Sequence, residues 1–269
     1  MTRQELVEAI HVKGSFLCVG LDPDLTKLPD HLRHDATAVV TFCKEIIAAT
    51  SSYCCAYKLN IAFFEGLGPR GWDILYETRA ALPPDCFLIA DAKRADIGNS
   101  SMQYARTFFE HLNFDAITVA PYMGEDSVRP FLEFEGKWTI LLALTSNPGA
   151  SDFQFIEDRH GKALFQSVLL KSKKWGHPGN LMYVAGATQS SFLSLVRDIV
   201  PEHFLLIPGI GVQGGSLDMV TKSCLTSDCG ILVNSTREII YASNGQDYAA
   251  VAGARAKEYQ MVMSKYLSR

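Results

Sequence analysis

The amino-acid sequence predicts an α/β protein: a (β/α)8 TIM barrel in a single domain over residues 1–269, with an extra N-terminal helix. Three observations carry that expectation. Eight short apolar runs recur along the chain, and they are continuous, not alternating, as in strands buried on both faces of a parallel sheet. Segments of helical period separate them. Nearly every run ends in polar or glycine residues, which is where barrels of this kind carry their chemistry.

In chain order, Thr2 with Glu5 reads as a capping box for the N-terminal helix. The first strand is Phe16–Gly20, the second Cys55–Leu59, the third Phe87–Ala90 and the fourth Ala116–Val119. Thr139–Leu144, Leu181–Ala185, Phe204–Ile207 and Ile231–Val233 complete the eight. Helical stripes lie between them: Ala38, Val39, Phe42, Ile46 and Ile47; Met102, Ala105, Phe108, Phe109 and Leu112; Leu164, Val168 and Leu169; Leu193, Val196 and Ile199. A long closing helix spans residues 247–267. Eight strands alternating with helices over about 250 residues define the barrel. A doubly wound open sheet is the alternative, and it usually has fewer strands. No linker, low-complexity tract or composition shift divides the chain.

Composition excludes several functional classes. With 25 basic and 29 acidic residues the formal net charge is −4, and no basic tract is present, so nucleic acid is not an expected partner. A local basic cluster can still hold an anion. Seven cysteines without a CxxC pair read as reduced, buried thiols. The first residues lack the apolar core of a signal peptide, and no run reaches the roughly 18–20 apolar residues of a membrane span. The expectation is a soluble, cytoplasmic protein without a membrane partner.

The segment DAKRADIGNS, residues 91–100, places two carboxylates and two cations within six positions, directly after a buried-looking strand. On a regular strand Asp91 and Lys93 share one face about 6–7 Å apart, and Lys58 ends the neighbouring strand. Asp96 follows near the start of the next helix. A salt-bridge network is the bland reading. The functional reading is a fixed electrostatic field, with a protonated lysine held among carboxylates and aimed at a reacting atom. A substrate carboxylate set against Asp91 would feel roughly 4 kcal/mol of repulsion at ~4 Å and an effective dielectric near 20. Departure as carbon dioxide would relieve it.

The other strand ends carry Asp22, Asn60, Ser146, Asn147, Thr188, Gln189, Gln213, Asn234 and Arg237. PGIGVQGG (208–215) after the seventh strand and STREI (235–239) after the eighth suggest a phosphate site. Glycines admit close backbone approach there, and an arginine can pair with two phosphate oxygens. The sequence has no HExxH, no metal-ligating carboxylate cage, no GxGxxG, no Walker A loop and no GxSxG elbow. The expected chemistry therefore uses no metal and no cofactor.

Taken together these segments resemble the orotidine 5′-phosphate decarboxylase family, in its longer bacterial-type branch. DAKRAD matches the D-x-K-x-x-D signature. VGLDPD (19–24), KLNIAFFE (58–65), APYMG (120–124), LTSNPGASDFQ (144–154), AGATQ (185–189), PGIGVQGG (208–215) and NSTREI (234–239) fall in the family's order. The resemblance implies cofactor-independent conversion of orotidine monophosphate to uridine monophosphate in pyrimidine synthesis. It implies Lys93 as proton donor to carbon 6, Asp91 facing the substrate carboxylate, and Asp22 and Lys58 at the ribose. It implies a homodimer with shared sites, in which Asp96, Ile97 and Ser100 come from the neighbouring subunit. It assigns Ser146 to the pyrimidine, and Gly211, Gln213 and Arg237 to the phosphate. Ala95 stands where relatives often carry glycine, and Ser100 where threonine is common. A sugar-phosphate decarboxylase or aldolase using magnesium or a Schiff base, and a non-catalytic phosphate-binding barrel, are the competing readings.

Overall fold

A computed structural model describes residues 1–33, 37–187, 190–210 and 215–268. Eight strands follow one another in chain order in a closed barrel: β1 (Leu17–Leu21), β2 (Ala56–Asn60), β3 (Phe87–Arg94), β4 (Ala116–Val119), β5 (Trp138–Leu144), β6 (Leu181–Ala185), β7 (Leu205–Pro208) and β8 (Ile231–Ser235). The helices are α1 (Arg3–Lys13), α2 (Ala38–Thr50), α3 (Ile61–Glu65), α4 (Pro69–Ala80), α5 (Gly98–Arg106), α6 (Glu125–Leu132), α7 (Leu164–Ser172), α8 (Ser190–Ile199), α9 (Gly215–Cys224), α10 (Arg237–Ile240) and α11 (Tyr248–Leu267). All eight expected strands are present, within a few residues of their expected ends. The long stripe from Met102 to Leu112 is split. α5 ends at Arg106 and a π-turn over Thr107–His111 continues it, which keeps Phe108 and Phe109 buried. The chain divides into two compact units, one of Gln4–Ala92 with Asn234–Arg269, the other of Met1–Arg3 with Lys93–Val233.

In the first unit β1, β2 and β3 pair in parallel, with Gly20 opposite Lys58 and Asn60 opposite Asp91. The β2 pleat decides which way the lysine points. Tyr57 reaches out to α2, where its hydroxyl lies 2.7 Å from Thr50 Oγ1 and donates to the Ile47 carbonyl. Successive side chains alternate across a sheet, so Lys58 is on the opposite face. α11 packs against α2. At Gly253 the helices touch so closely that a Cβ would sit 2.8 Å from the Ala49 carbonyl oxygen.

In the second unit β4 to β7 form a parallel run, with a bulge in β5 between Leu142 and Leu144. Tyr183 repeats the device of Tyr57, its hydroxyl 3.0 Å from Ser172 Oγ on α7. Buried Arg197 donates to five backbone carbonyls, those of Cys224, Val200, Pro201, His203 and Gly230. It satisfies the ends of α8 and α9, whose last carbonyls lack helical partners. All seven cysteines are buried and none forms a disulfide. Burial pushes the thiols of Cys18, Cys43 and Cys229 up to about 12. Among the described residues no helix is long and apolar enough to cross a membrane.

His203, 6% exposed, packs with its ring tilted 5.4 Å from the Tyr183 ring, and neither ring nitrogen has a hydrogen-bond partner among the described residues. Burial, reinforced by Arg3, Arg197, Lys173 and His177, pushes it down to about 4. The unfolded chain, with an ordinary histidine, binds this proton more readily. Stability therefore falls as pH drops from about 6.5 towards 4. Urea denaturation across that range is expected to show the loss, and His203→Phe to remove this contribution.

Candidate active site

Each unit contributes its own set of sequence-predicted residues. In the first, Lys58 from β2 lies between two carboxylates. Its ammonium is 2.8 Å from Asp91 Oδ2 on β3 and 3.8 Å from Asp22 Oδ1, just past β1. Lys58 is 6% exposed and Asp91 9%. Burial by itself would lower the lysine's pKa, but the charges of Asp91 and Asp22 outweigh it and hold the amine above its ordinary value. The ammonium is therefore a permanent charge at any working pH. Lys58 is thus a buried lysine held between two acids, whereas Lys93, the expected proton donor, is exposed.

Two further side chains complete this arrangement, and sequence reasoning gave neither a role. Asn60 Nδ2 donates to Asp22 Oδ2 at 3.3 Å. Two positions beyond Lys58, it shares the lysine's face by simple alternation, which is the signal that could have found it. Tyr241, just after α10, holds the backbone around Asp22. Its hydroxyl donates to the Asp22 carbonyl and accepts from the Asp24 N–H, both at 2.7 Å. Its ring stacks on Phe42. Gly20 is required beside them, because a Cβ there would collide with the Thr236 hydroxyl. Asp22 Oδ1 and Asn234 Oδ1 are buried acceptors with no hydrogen-bond partner among the described residues. Arg237 is the first residue of α10 and is exposed.

In the second unit Lys93 ends β3 in an unexpected way. Its φ is +47°, in the left-handed region, and its side chain is exposed. The regular alternation that would set Lys93 directly above Asp91 therefore stops at this residue. Asp96 is half-buried, and its Oδ1 accepts from the Ile97 N–H at 2.7 Å. The Ser101 hydroxyl, buried, lies within hydrogen-bond distance of the carbonyls of Asp96 and Ser127 and fixes this turn. Ile97 and Ser100 are exposed at the start of α5. Ser146 follows β5 in a clamped loop. Gln154 accepts from the Thr145 N–H and donates to Thr145 Oγ1, both at 2.8 Å. A Cβ at Gly186 would come within 2.8 Å of the Ser146 backbone, so only glycine admits that loop. Gly211 and Gln213, with Thr188 and Gln189, lie outside the described residues. Among the described residues no three His, Cys, Asp or Glu side chains converge as a metal site requires.

A closed parallel barrel with a lysine ammonium buried between carboxylates at its strand ends defines a protein of the TIM-barrel class. Comparison with known proteins makes the class particular. The family model described as "Orotidine 5'-phosphate decarboxylase / HUMPS family" matches residues 15–251. Orotidine 5′-phosphate decarboxylase of Phocaeicola vulgatus is 54% identical over 270 residues, covering 99% of each chain. That of Porphyromonas gingivalis is 52% identical over 266 residues, covering 98% of this chain and 96% of its own. The solved structure of Leishmania donovani OMP decarboxylase superposes with a TM-score of 0.82 at 35% identity, covering 97% of this chain and 99% of that one. The chain belongs to the orotidine 5′-phosphate decarboxylase / HUMPS family, and it is an enzyme of the carboxy-lyase class.

Removing the amine of Lys58 takes away the ammonium that lies between Asp91 and Asp22. Lys58→Met is expected to cost about 3–5 kcal/mol, the usual penalty for stranding one side of a buried ion pair. Urea denaturation measures it, and adding Asp91→Asn is expected to restore a large part.

Proposed function

We propose that this chain converts orotidine 5′-monophosphate to uridine 5′-monophosphate in the cytoplasm, with no cofactor or metal. The observation that carries the reading is Lys58 buried between Asp91 and Asp22, in a chain 54% identical over 270 residues to an orotidine 5′-phosphate decarboxylase. In the proposed step the bond from carbon 6 of the pyrimidine to the carboxylate breaks. Carbon dioxide leaves, and the electron pair stays on carbon 6. The Lys93 ammonium stabilises that charge as it develops and then neutralises it by giving up a proton, which water later returns. Asp91 faces the substrate carboxylate. With one oxygen locked on Lys58 it offers a fixed charge that needs no rearrangement during the reaction.

The remaining roles follow the same chemistry. Asp22 Oδ1 suits a ribose hydroxyl, because it is a buried acceptor with no hydrogen bond among the described residues, 3.8 Å from the Lys58 ammonium. Lys58 serves the ribose alongside it. Ser146 contacts the pyrimidine, and Arg237 with Gly211 and Gln213 holds the phosphate. Binding energy from the phosphate, remote from carbon 6, can drive closure of the 147–154 loop and so serve the chemical step.

The site is proposed to be completed by a second copy of the chain, contributing Asp96, Ile97 and Ser100. Exposed apolar side chains near these residues in the sequence support this: Ile97 is 56% exposed, Tyr104 36%, Tyr122 91% and Met123 44%. Large apolar side chains left open to solvent are what a partner surface would cover.

Ultraviolet absorbance of orotidine monophosphate, followed with purified protein and a chelator, tests the activity. Steady loss of the substrate spectrum is expected, and Lys93→Ala is expected to abolish turnover while leaving thermal stability unchanged. Activity lost on chelation, or a substrate adduct trapped by borohydride, would instead indicate the metal-dependent or Schiff-base aldolase reading.

Shared sites have their own signature. Lys93→Ala and Asp96→Asn homodimers, each inactive, are expected to regain about a quarter of wild-type activity when subunits are exchanged in equal amounts, because half the dimers are then mixed and each holds one intact site. No recovery would show that each chain supplies its own Asp96.

A further inference from the structure

The left-handed backbone of Lys93 calls for a restraint. A non-glycine residue with φ of +47° is disfavoured, since its Cβ crowds the following carbonyl. Such a conformation persists only where its surroundings enforce it. Here the Lys93 N–H donates to the side chain of Thr118, at 2.9 Å from N to Oγ1. Thr118 lies on β4 and is 1% exposed, so its hydroxyl is held within packed structure. One residue further along, the Ala120 N–H donates to the Arg94 carbonyl at 3.0 Å. β3 and β4 are thus tied on both sides of the peptide that departs from strand geometry. The backbone angles at Lys93 set the direction of its Cα–Cβ bond, and therefore where its ammonium can reach.

We propose that Thr118 is a positioning residue for Lys93: its hydroxyl locks the left-handed backbone that aims the lysine amine at the reacting carbon. The inference rests on Lys93 being the proton donor. Thr118 itself touches no substrate atom and acts wholly through the lysine. A misplacement of about 1 Å at a reacting group costs on the order of 100-fold in rate. Removal of the hydroxyl is therefore expected to lower kcat by roughly 10- to 100-fold, with KM unchanged because ribose and phosphate contacts lie elsewhere.

Thr118→Val keeps the side-chain shape and removes the acceptor. Steady-state kinetics are expected to show the fall in kcat with KM within about twofold of wild type, and uridine monophosphate is expected to bind as tightly as before. Thr118→Ser, which keeps the hydroxyl, is expected to restore most of the rate. A role in packing alone would make serine, which lacks the methyl group, as poor as valine or poorer. Should the valine variant not fold, Thr118→Cys, nearly the same size but a weak acceptor, takes its place, with a fall in kcat at constant KM again expected. Wild-type kcat in a folded valine or cysteine variant overturns the proposal, as does a serine variant as slow as valine. Lys93→Ala measured alongside separates the two readings. If Lys93→Ala still turns over, the proton-donor role itself fails; if it is dead while Thr118→Val runs at the wild-type rate, only the role of Thr118 fails.

Discussion

The contact on which the rest of the site depends is the 2.8 Å ion pair between Lys58 and Asp91. An ammonium at this depth would be untenable alone, and a carboxylate likewise. Each is tolerable because the other is there, with Asp22 behind. The pairing requires that β1, β2 and β3 keep one register, since a slip of a single residue would turn Lys58 to the helix side, where Tyr57 now meets Thr50. Gly20 and Tyr241 serve the same end. Glycine makes room at the β1 edge for Thr236, and the tyrosine hydroxyl grips the backbone around Asp22 from both sides. The three charges are thus held in place by the strands themselves.

The second unit works by backbone control more than by buried charge. Lys93, Asp96 and Ser146 are each held at the main chain. Thr118 holds the first, Ser101 the second, and the Gln154–Thr145 clamp with Gly186 the third. Binding residues commonly sit on loops positioned by a rigid scaffold, and Arg197 supplies part of that rigidity by satisfying five carbonyls with one guanidinium.

Most of the barrel was legible in the sequence because strands buried on both faces leave uninterrupted apolar runs. Helices were less so. α3 is only five residues long, α4 begins with Pro69 and contains Gly71, and α6 is short with Pro130 inside it. Their helicity comes from packing on the sheet, which local periodicity does not record. The charged site residues were legible because acids and lysines seldom end neighbouring buried strands together. What supports them was not. Nothing in DAKRAD announces a left-handed lysine, since that conformation is imposed by Thr118 from a strand more than 20 residues away. Tyr241 is inconspicuous for the same reason: its value lies in what its hydroxyl reaches across the fold. Asn60 was visible at a strand end, but only the geometry ties it to Asp22.

The seven cysteines carry a practical consequence. Every thiol is enclosed, and those of Cys18, Cys43 and Cys229 are about three pH units harder to ionise than an ordinary one. Alkylation needs both access and the thiolate, so an electrophile finds almost nothing to modify until the polypeptide opens. The native enzyme carries its own tamper seal: the rate at which a mild thiol reagent labels it reports how often the barrel comes apart.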